Sequence, residues 1–290
     1  MIENEKNKYQ ADEDLSDQAF NARQKSRIMD LAERVKQADH LLSLDVYRLL
    51  RSWFVQSINR PAFLESLRSQ APEYDHFEYL VCVDRTGQPF EIPPSLLEDV
   101  QQTIQGYPEF KKWFQVVPQP AKQTLLVGRW LCHLLGFRHK TIHLFIDHPN
   151  LSGFTLVQVR GACKAEAPGR FDLPVAGHID GLLSEQEALY KEMFEELSLR
   201  PEDLLELELL TRYSEENEGG SGSSFRNAEH HVIYRCRVSE KAIARLKPGA
   251  GEVAAIACFS IDELAALMRK FPDHFASGIK NSFKYYQEKI

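Results

Sequence analysis

The chain has 290 residues, 43% apolar and 27% charged, with a formal charge of −7 at neutral pH. That length buries a sizeable core, as one elaborated domain or one domain with an extension, and the acidic balance excludes the basic footprint of a general nucleic-acid binder. The cysteines (Cys82, Cys132, Cys163, Cys236, Cys258) are scattered without a C-x-x-C pair, so they read as reduced thiols rather than a disulfide framework or a zinc knuckle.

The amino terminus "MIENEKNKYQADEDLSDQ" lacks the basic start and apolar run of a secretion signal, and no later stretch approaches the roughly 18 apolar residues of a membrane span. A cytoplasmic protein with no membrane partner is expected. Residues 1 to about 15 read as frayed, and the front segment to residue 75 reads as a helical extension, with Ile28, Leu31, Val35 and Leu42 at helical spacing and Pro61 as a break. A second region is expected over 76–290. It opens with a strand and turn in "FEYLVCVDRTGQPFEIP" and returns to helix in an insertion near 94–125, interrupted at Gly106 and Pro108.

"KTIHLFID" and "FTLVQVRG" read as two strands of a hairpin. Further strands are expected at "LLELELLTRYS", "HHVIYRCRV" and "EVAAIACFS", and closing helices at "IDELAALMRKF" and "HFASGIKNSFKYYQEK". The Gly/Ser stretch at 219–224 reads as a lid or a linker. Strands and helices interspersed in this way imply an α/β (α+β) fold, a mixed sheet sandwiched by helices.

The densest chemistry lies in "VAGHIDGLLSEQEALYKEMFEELSL", residues 175–199. Ser184 followed three residues later by Glu187 is the spacing of a capping box, so a helix starts there. At about 100° per residue, Leu189, Met193 and Leu197 form one apolar stripe, while Glu192, Glu195 and Glu196 converge on another face. Like charges at these spacings destabilise a helix by a few tenths of a kcal/mol per pair. Two readings fit, a solvated acidic face and a site for a hard divalent cation with carboxylate ligands. On spacing alone the solvated face is the commoner use.

The flanking residues bear on that choice. The stretch resembles the Nudix hydrolases, whose box is G-x5-E-x7-R-E-U-x-E-E-x-G-U, with U aliphatic. Gly177, Glu192, Met193, Glu195, Glu196 and Leu199 fall on matching positions, whereas Leu183 stands for the first glutamate, Lys191 for the arginine and Ser198 for the last glycine. Upstream, "LVQVRGACKAEAPGRFDLPVAGHIDG" is similar to the strand, loop and turn that precede the box in one branch of the family. The resemblance covers about 80–265. It implies a Nudix-type fold, Mg²⁺ or Mn²⁺ held by Glu192, Glu195 and Glu196, and hydrolysis of a small-molecule diphosphate linked to an organic moiety. A further glutamate, Glu229 or Glu252, is expected as ligand or base, and Arg160, Lys164, Arg170 and His178 as contacts to substrate.

Members directed at thiamine diphosphate share the form of this box, and a nucleotide is the other substrate considered. Two rivals share the resemblance. Isopentenyl diphosphate isomerases hold a metal with histidines, one in a Cys-Gly-His turn. That turn reads Ala176, Gly177, His178 here, and His133, His139 and His143 lie upstream. The departures at 183, 191 and 198 also fit a module kept for binding after catalysis was lost. A homodimer is the other association the sequence allows.

Overall fold

The computed structural model describes residues 17–57, 78–118, 123–164, 166–218 and 226–290. The expectations for residues 1–15, Pro61 and the Gly/Ser stretch at 219–224 fall outside them. The chain divides into two compact units. One takes the described part of Met1–Phe77 with Glu91–Phe137 and Asn217–Asn227, the other takes Glu78–Phe90, Arg138–Glu216 and Ala228–Ile290.

In the first unit α1 (Asp17–Gln37) and α2 (Leu44–Ser57) are separated by Asp39 and His40, both at positive φ, 56° and 62°. Leu42 is therefore in the connection and not on the helical stripe expected for it. A third helix, α3 (Pro94–Gly106), begins with proline at its first turn, where the missing N–H costs nothing. It ends at the interruption expected at Gly106, and the described residues from there to 118 do not resume an α-helix. A 3-10 turn over Pro108–Lys112 leads into an antiparallel hairpin, β1 (Phe114–Pro118) and β2 (Gln123–Gly128), and then α4 (Arg129–Leu135).

An aromatic core explains why Glu91–Phe137, which holds the insertion expected near 94–125 in the second region, clusters with the front helices. Tyr47, Trp53 and Phe54 of α2 are buried with Phe110, Trp113 and Phe114. Phe54 meets Phe110 and Trp113 edge-on, at 4.9 and 5.0 Å between ring centroids, the geometry ring quadrupoles favour.

In the second unit a mixed sheet has the order β9-β4-β3-β8-β7, built from β3 (His139–Asp147), β4 (Phe154–Arg160), β7 (Leu204–Glu218), β8 (Arg226–Val238) and β9 (Val253–Ser260). Short strands β5 (Phe171–Asp172) and β6 (Val175–His178) pair with β4 and β3 respectively. β3 and β4 form the expected hairpin, paired at Asp147 and Thr155. They then part, and β6 runs along β3 from Leu144↔Val175 to Thr141↔His178. β3 and β8 are parallel, with His139 opposite Glu229 and His143 opposite Ile233.

Alternation along β3 divides the core in two. Ile142, Leu144 and Ile146 pack with Leu189, Met193 and Leu197 of α5 (Glu185–Leu197). Phe145 points the other way, to Leu264 of α7 (Ile261–Lys270) and to Ile279 and Phe283 of α8 (Ser277–Gln287), and stacks on Tyr286 at 4.3 Å. A short helix, α6 (Glu240–Ala244), precedes β9. The unit is thus the mixed sheet covered by helices that the sequence implies. Among the described residues no helix is long and apolar enough to cross a membrane.

Candidate functional site

The helix α5 that carries the glutamates is fixed at both ends. Ser184 accepts from the Glu187 N–H and the Glu187 carboxylate reaches back to Ser184, the reciprocal cap expected. At the other end Ser198 is left-handed at φ 57°. Its N–H donates to the Phe194 carbonyl, and that of Leu199 to the Met193 carbonyl, at 2.9 and 3.1 Å. The Ser198 bond is the 5→1 bond of an αL cap, in which the residue after the helix adopts the left-handed conformation. The last glycine and aliphatic residue of the box therefore have a backbone meaning. Ser198 takes the glycine's conformation, and Leu199 is buried in the same core as Met193.

Between these ends the three glutamates have different environments. Glu196 is buried, and each of its oxygens accepts a hydrogen bond, from the Ala176 N–H at 2.9 Å and the Gln158 amide at 3.2 Å. Burial pushes its carboxyl up to about 8 and Glu192 adds to the rise, against the Ala176 and Gln158 donors and Lys164. Burial likewise pushes Glu192 up to about 7. Lys191 opposes that rise, while Glu195, Glu78 and Glu252 contribute to it. Glu195 is half-exposed. The Lys191 ammonium lies 3.6 Å from Glu192 and 3.5 Å from Glu195, spanning both without the fork of a guanidinium.

Two close approaches bring the rest of the site to the helix. A Cβ at Gly177 would lie 2.2 Å from the Glu192 carboxyl carbon, so the glycine lets that carboxyl rest on the backbone of β6. A Cβ at Gly249 would lie 2.3 Å from the Glu195 carbonyl, and the Gly249 N–H donates to the Glu196 carbonyl at 2.7 Å. The loop docked in this way carries Glu252, which is half-exposed and pairs with Lys164 at 3.3 Å. Glu252 and Lys164 thus join the box glutamates electrostatically. Arg160 is already engaged, donating to Asp172 at 2.8 Å and to the Glu166 carbonyl at 3.0 Å. Arg170 is exposed in the same loop. The Cys163 thiol donates to the Gly251 carbonyl at 2.7 Å.

Glu229 and His178 lie elsewhere. His139, His178 and Glu229 each offer a ligand atom within 4.8 Å of the others. His139 and His178 approach one Glu229 oxygen at 3.7 and 3.6 Å, and His231 approaches the other at 3.8 Å. Burial works to raise the Glu229 carboxyl, but the bonds from His139 and His178 outweigh it and hold it well below the usual range. His143 stacks on His231 at 4.5 Å and bonds the Ser282 hydroxyl of α8 at 2.7 Å. Burial and the neighbouring His231 keep His143 neutral.

Strand alternation sets the two clusters on opposite faces. His139 and His143 share the parity of Phe145, towards α8, whereas Gly177 supports Glu192 under α5. Sequence reasoning did not single out His231 or Gln158. The signal for His231 was its spacing of two from Glu229, matching the spacing of His139, Thr141 and His143 on β3. Gln158 gave no such signal, being one polar residue in an apolar strand.

The donor sets fit different ions. Glu192, Glu195 and Glu196 offer hard carboxylate oxygens, two of them buried with more negative charge than Lys191 balances, which suits Mg²⁺ or Mn²⁺. The histidine cluster offers imidazole nitrogens with one carboxylate, a set for borderline transition metals.

The helix laid under a mixed sheet, with buried carboxylates against a glycine turn, lies within the part of the chain that a known domain family matches. The family profile of the NUDIX domain matches residues 138–277, a little under half of the chain, so the similarity to the Nudix family is that of this domain. No curated protein matches it. Among solved structures, a Deinococcus radiodurans protein matches at a TM-score of 0.45 and 13% identity, covering 71% of this chain and 98% of its own. The NUDIX domain of Shewanella oneidensis NrtR, complexed with ADP ribose, matches at 0.40 and 13%, covering 52% and 86%. The MutT protein of Methanosarcina mazei matches at 0.40 and 14%, covering 52% and 95%. Similarities at this level carry no argument about chemistry.

Proposed function

We propose that this protein is a divalent-metal-dependent hydrolase of a diphosphate joined to an organic moiety, with Glu192, Glu195 and Glu196 holding Mg²⁺ or Mn²⁺. The observation that carries the reading is the pair of buried carboxyls, Glu192 and Glu196, held by the backbone of β6. Two buried like charges oppose folding unless a cation joins them. The ion would neutralise phosphoryl charge and make water more acidic.

The chain's own residues supply the rest. Glu196 and Glu192 are fixed by β6, and Lys191 balances the outer edge of the cluster. Glu252 is the proton acceptor best placed, since it couples to Glu192 and is half-exposed. Lys164, released from Glu252, would meet substrate phosphate, with exposed Arg170 in the same loop. Thiamine-diphosphate-like compounds and nucleotides head the panel of substrates. Phosphate release from that panel with Mg²⁺ or Mn²⁺ tests the reading, and unchanged turnover in Glu196→Gln would sink the role of that residue. Absence of metal binding in calorimetry, with or without a diphosphate, would favour a binding module instead.

A second reading rests on the cluster of His139, His178 and Glu229: an isomerase-like enzyme rearranging an allylic diphosphate around a histidine-held metal. Ala176 stands where that chemistry uses a cysteine, so hydrolysis comes first. A rearranged diphosphate without phosphate release would reverse the order.

A further inference from the structure

We infer that Gln158 is a positioning residue for Glu196, setting the plane of its carboxylate for metal binding; the inference rests on the hydrolase reading above. Gln158 lies on β4 with the parity of Leu156, facing α5, and is 1% exposed. A buried primary amide in an apolar strand costs stability unless its groups are bonded. Its Nε2 donates to Glu196 Oε1 at 3.2 Å, whereas its Oε1 is buried without a hydrogen-bond partner among the described residues. For packing alone, a leucine or methionine would bury no polar atom of its own. The amide is retained at a cost, and what it supplies is a donor to one glutamate.

The geometry shows what that donor does. Glu196 Oε2 is held by the Ala176 N–H of β6 and Oε1 by Gln158 of β4. Two donors on two strands fix both oxygens, hence the carboxylate plane and the direction of the lone pairs left for a cation. A neutral amide does this without competing for the site with a charge of its own. Lys191, at the box position of an arginine, pairs with Glu192 and Glu195. Support for Glu196 therefore comes from the sheet. Partners behind a metal-binding side chain typically matter by about 10–100-fold in affinity or rate.

The test uses the full chain and Mn²⁺ alone as probe. Gln158→Met keeps the volume and removes the donor, and Gln158→Asn keeps the polarity but falls a methylene short of Glu196. Calorimetry should show Mn²⁺ binding weakened about 10-fold or more in both. For the diphosphate that wild type turns over fastest, kcat should fall with KM within about twofold, because substrate contacts are untouched. Val157→Ala, on the opposite face, should lower the Tm and leave Mn²⁺ affinity unchanged. Should the methionine variant fail to fold, the asparagine variant carries the measurement. Wild-type affinity in the folded variants overturns the assignment, as does an equal loss in Val157→Ala. Wild type that binds no Mn²⁺ overturns the hydrolase reading and this assignment together, whereas binding by wild type and variant alike overturns this assignment alone.

Discussion

The Glu192 carboxyl rests on the backbone of Gly177 so closely that a Cβ there would lie 2.2 Å from its carboxyl carbon. Real Cβ atoms do not approach so near, so an added methyl must displace the carboxylate or part β6 from α5. Gly177→Ala should therefore cost about 1–3 kcal/mol in urea unfolding, the range for overpacking. Mg²⁺ or Mn²⁺ affinity should fall at least tenfold even where the variant is folded. Unchanged metal affinity would mean that Glu192 is not a ligand.

The buried glutamates also set a pH dependence for the metal-free protein. Glu196 and Glu192 are pushed up to about 8 and about 7, from a usual value of 4.5. Across that interval the unfolded chain has released protons that the fold retains, so their contribution to stability falls as pH rises, and it levels off above about 8. His143 and Glu229 act in the opposite sense, up to their usual values of 6.5 and 4.5, since both are held below them; these contributions are common to wild type and the variant below. In EDTA, Glu196→Gln should melt higher than wild type at pH 8, by an amount on the order of a few kcal/mol. The two should converge towards pH 5. Parallel melting curves from pH 5 to 8 would show that Glu196 titrates normally.

The helix was legible because a reciprocal cap and a 3.6-residue apolar stripe coincide over Ser184–Leu197, two local signals that agree. The five long strands of the second unit were legible as β-rich runs bounded by turn residues, whereas the short β5 and β6 offered too few residues for a pattern. The hairpin at 114–128 was not, since Val116 and Val117 run into Pro118 and offer too short a pattern against the preceding helix. Nor was the separation of Glu229 from the box glutamates, which depends on the parallel pairing of β3 with β8, a contact between distant segments. Gln158 shows the same limit: its meaning comes from the oxygen it touches, and that lies on another element.

Glu229 gives a means of separating the two faces. It is mostly buried beside His139, His178 and His231, and Glu229→Gln removes the charge these rings surround. Loss of one partner from a buried set of this kind costs about 2–5 kcal/mol. Because the carboxyl is held below its usual value, its contribution is present at neutral pH and is lost as pH falls through that depressed value. Melts should show the gap between wild type and variant closing in acid. Turnover with Mg²⁺ should survive within a few-fold in the folded variant. Abolished turnover with an intact fold would transfer the chemistry to the histidine face.

Ser198 carries the remaining departure that can be settled by one substitution. It occupies the left-handed position of the αL cap at φ 57°, and its hydroxyl donates to the Lys247 carbonyl at 3.4 Å, a weak bond in an exposed place. An L-residue with a Cβ pays about 1–2 kcal/mol for that conformation, which glycine avoids. Ser198→Gly keeps both backbone bonds to Met193 and Phe194, so it should stabilise the protein by about 0.5–1 kcal/mol, the smaller figure allowing for glycine's extra freedom when unfolded. Metal affinity should be unchanged, because the Glu195 and Glu196 backbones already sit in the geometry that the motif imposes. A destabilised variant would show that the Ser198 hydroxyl matters more than its backbone. Altered metal affinity would show that the end of α5 adjusts with the residue at its cap.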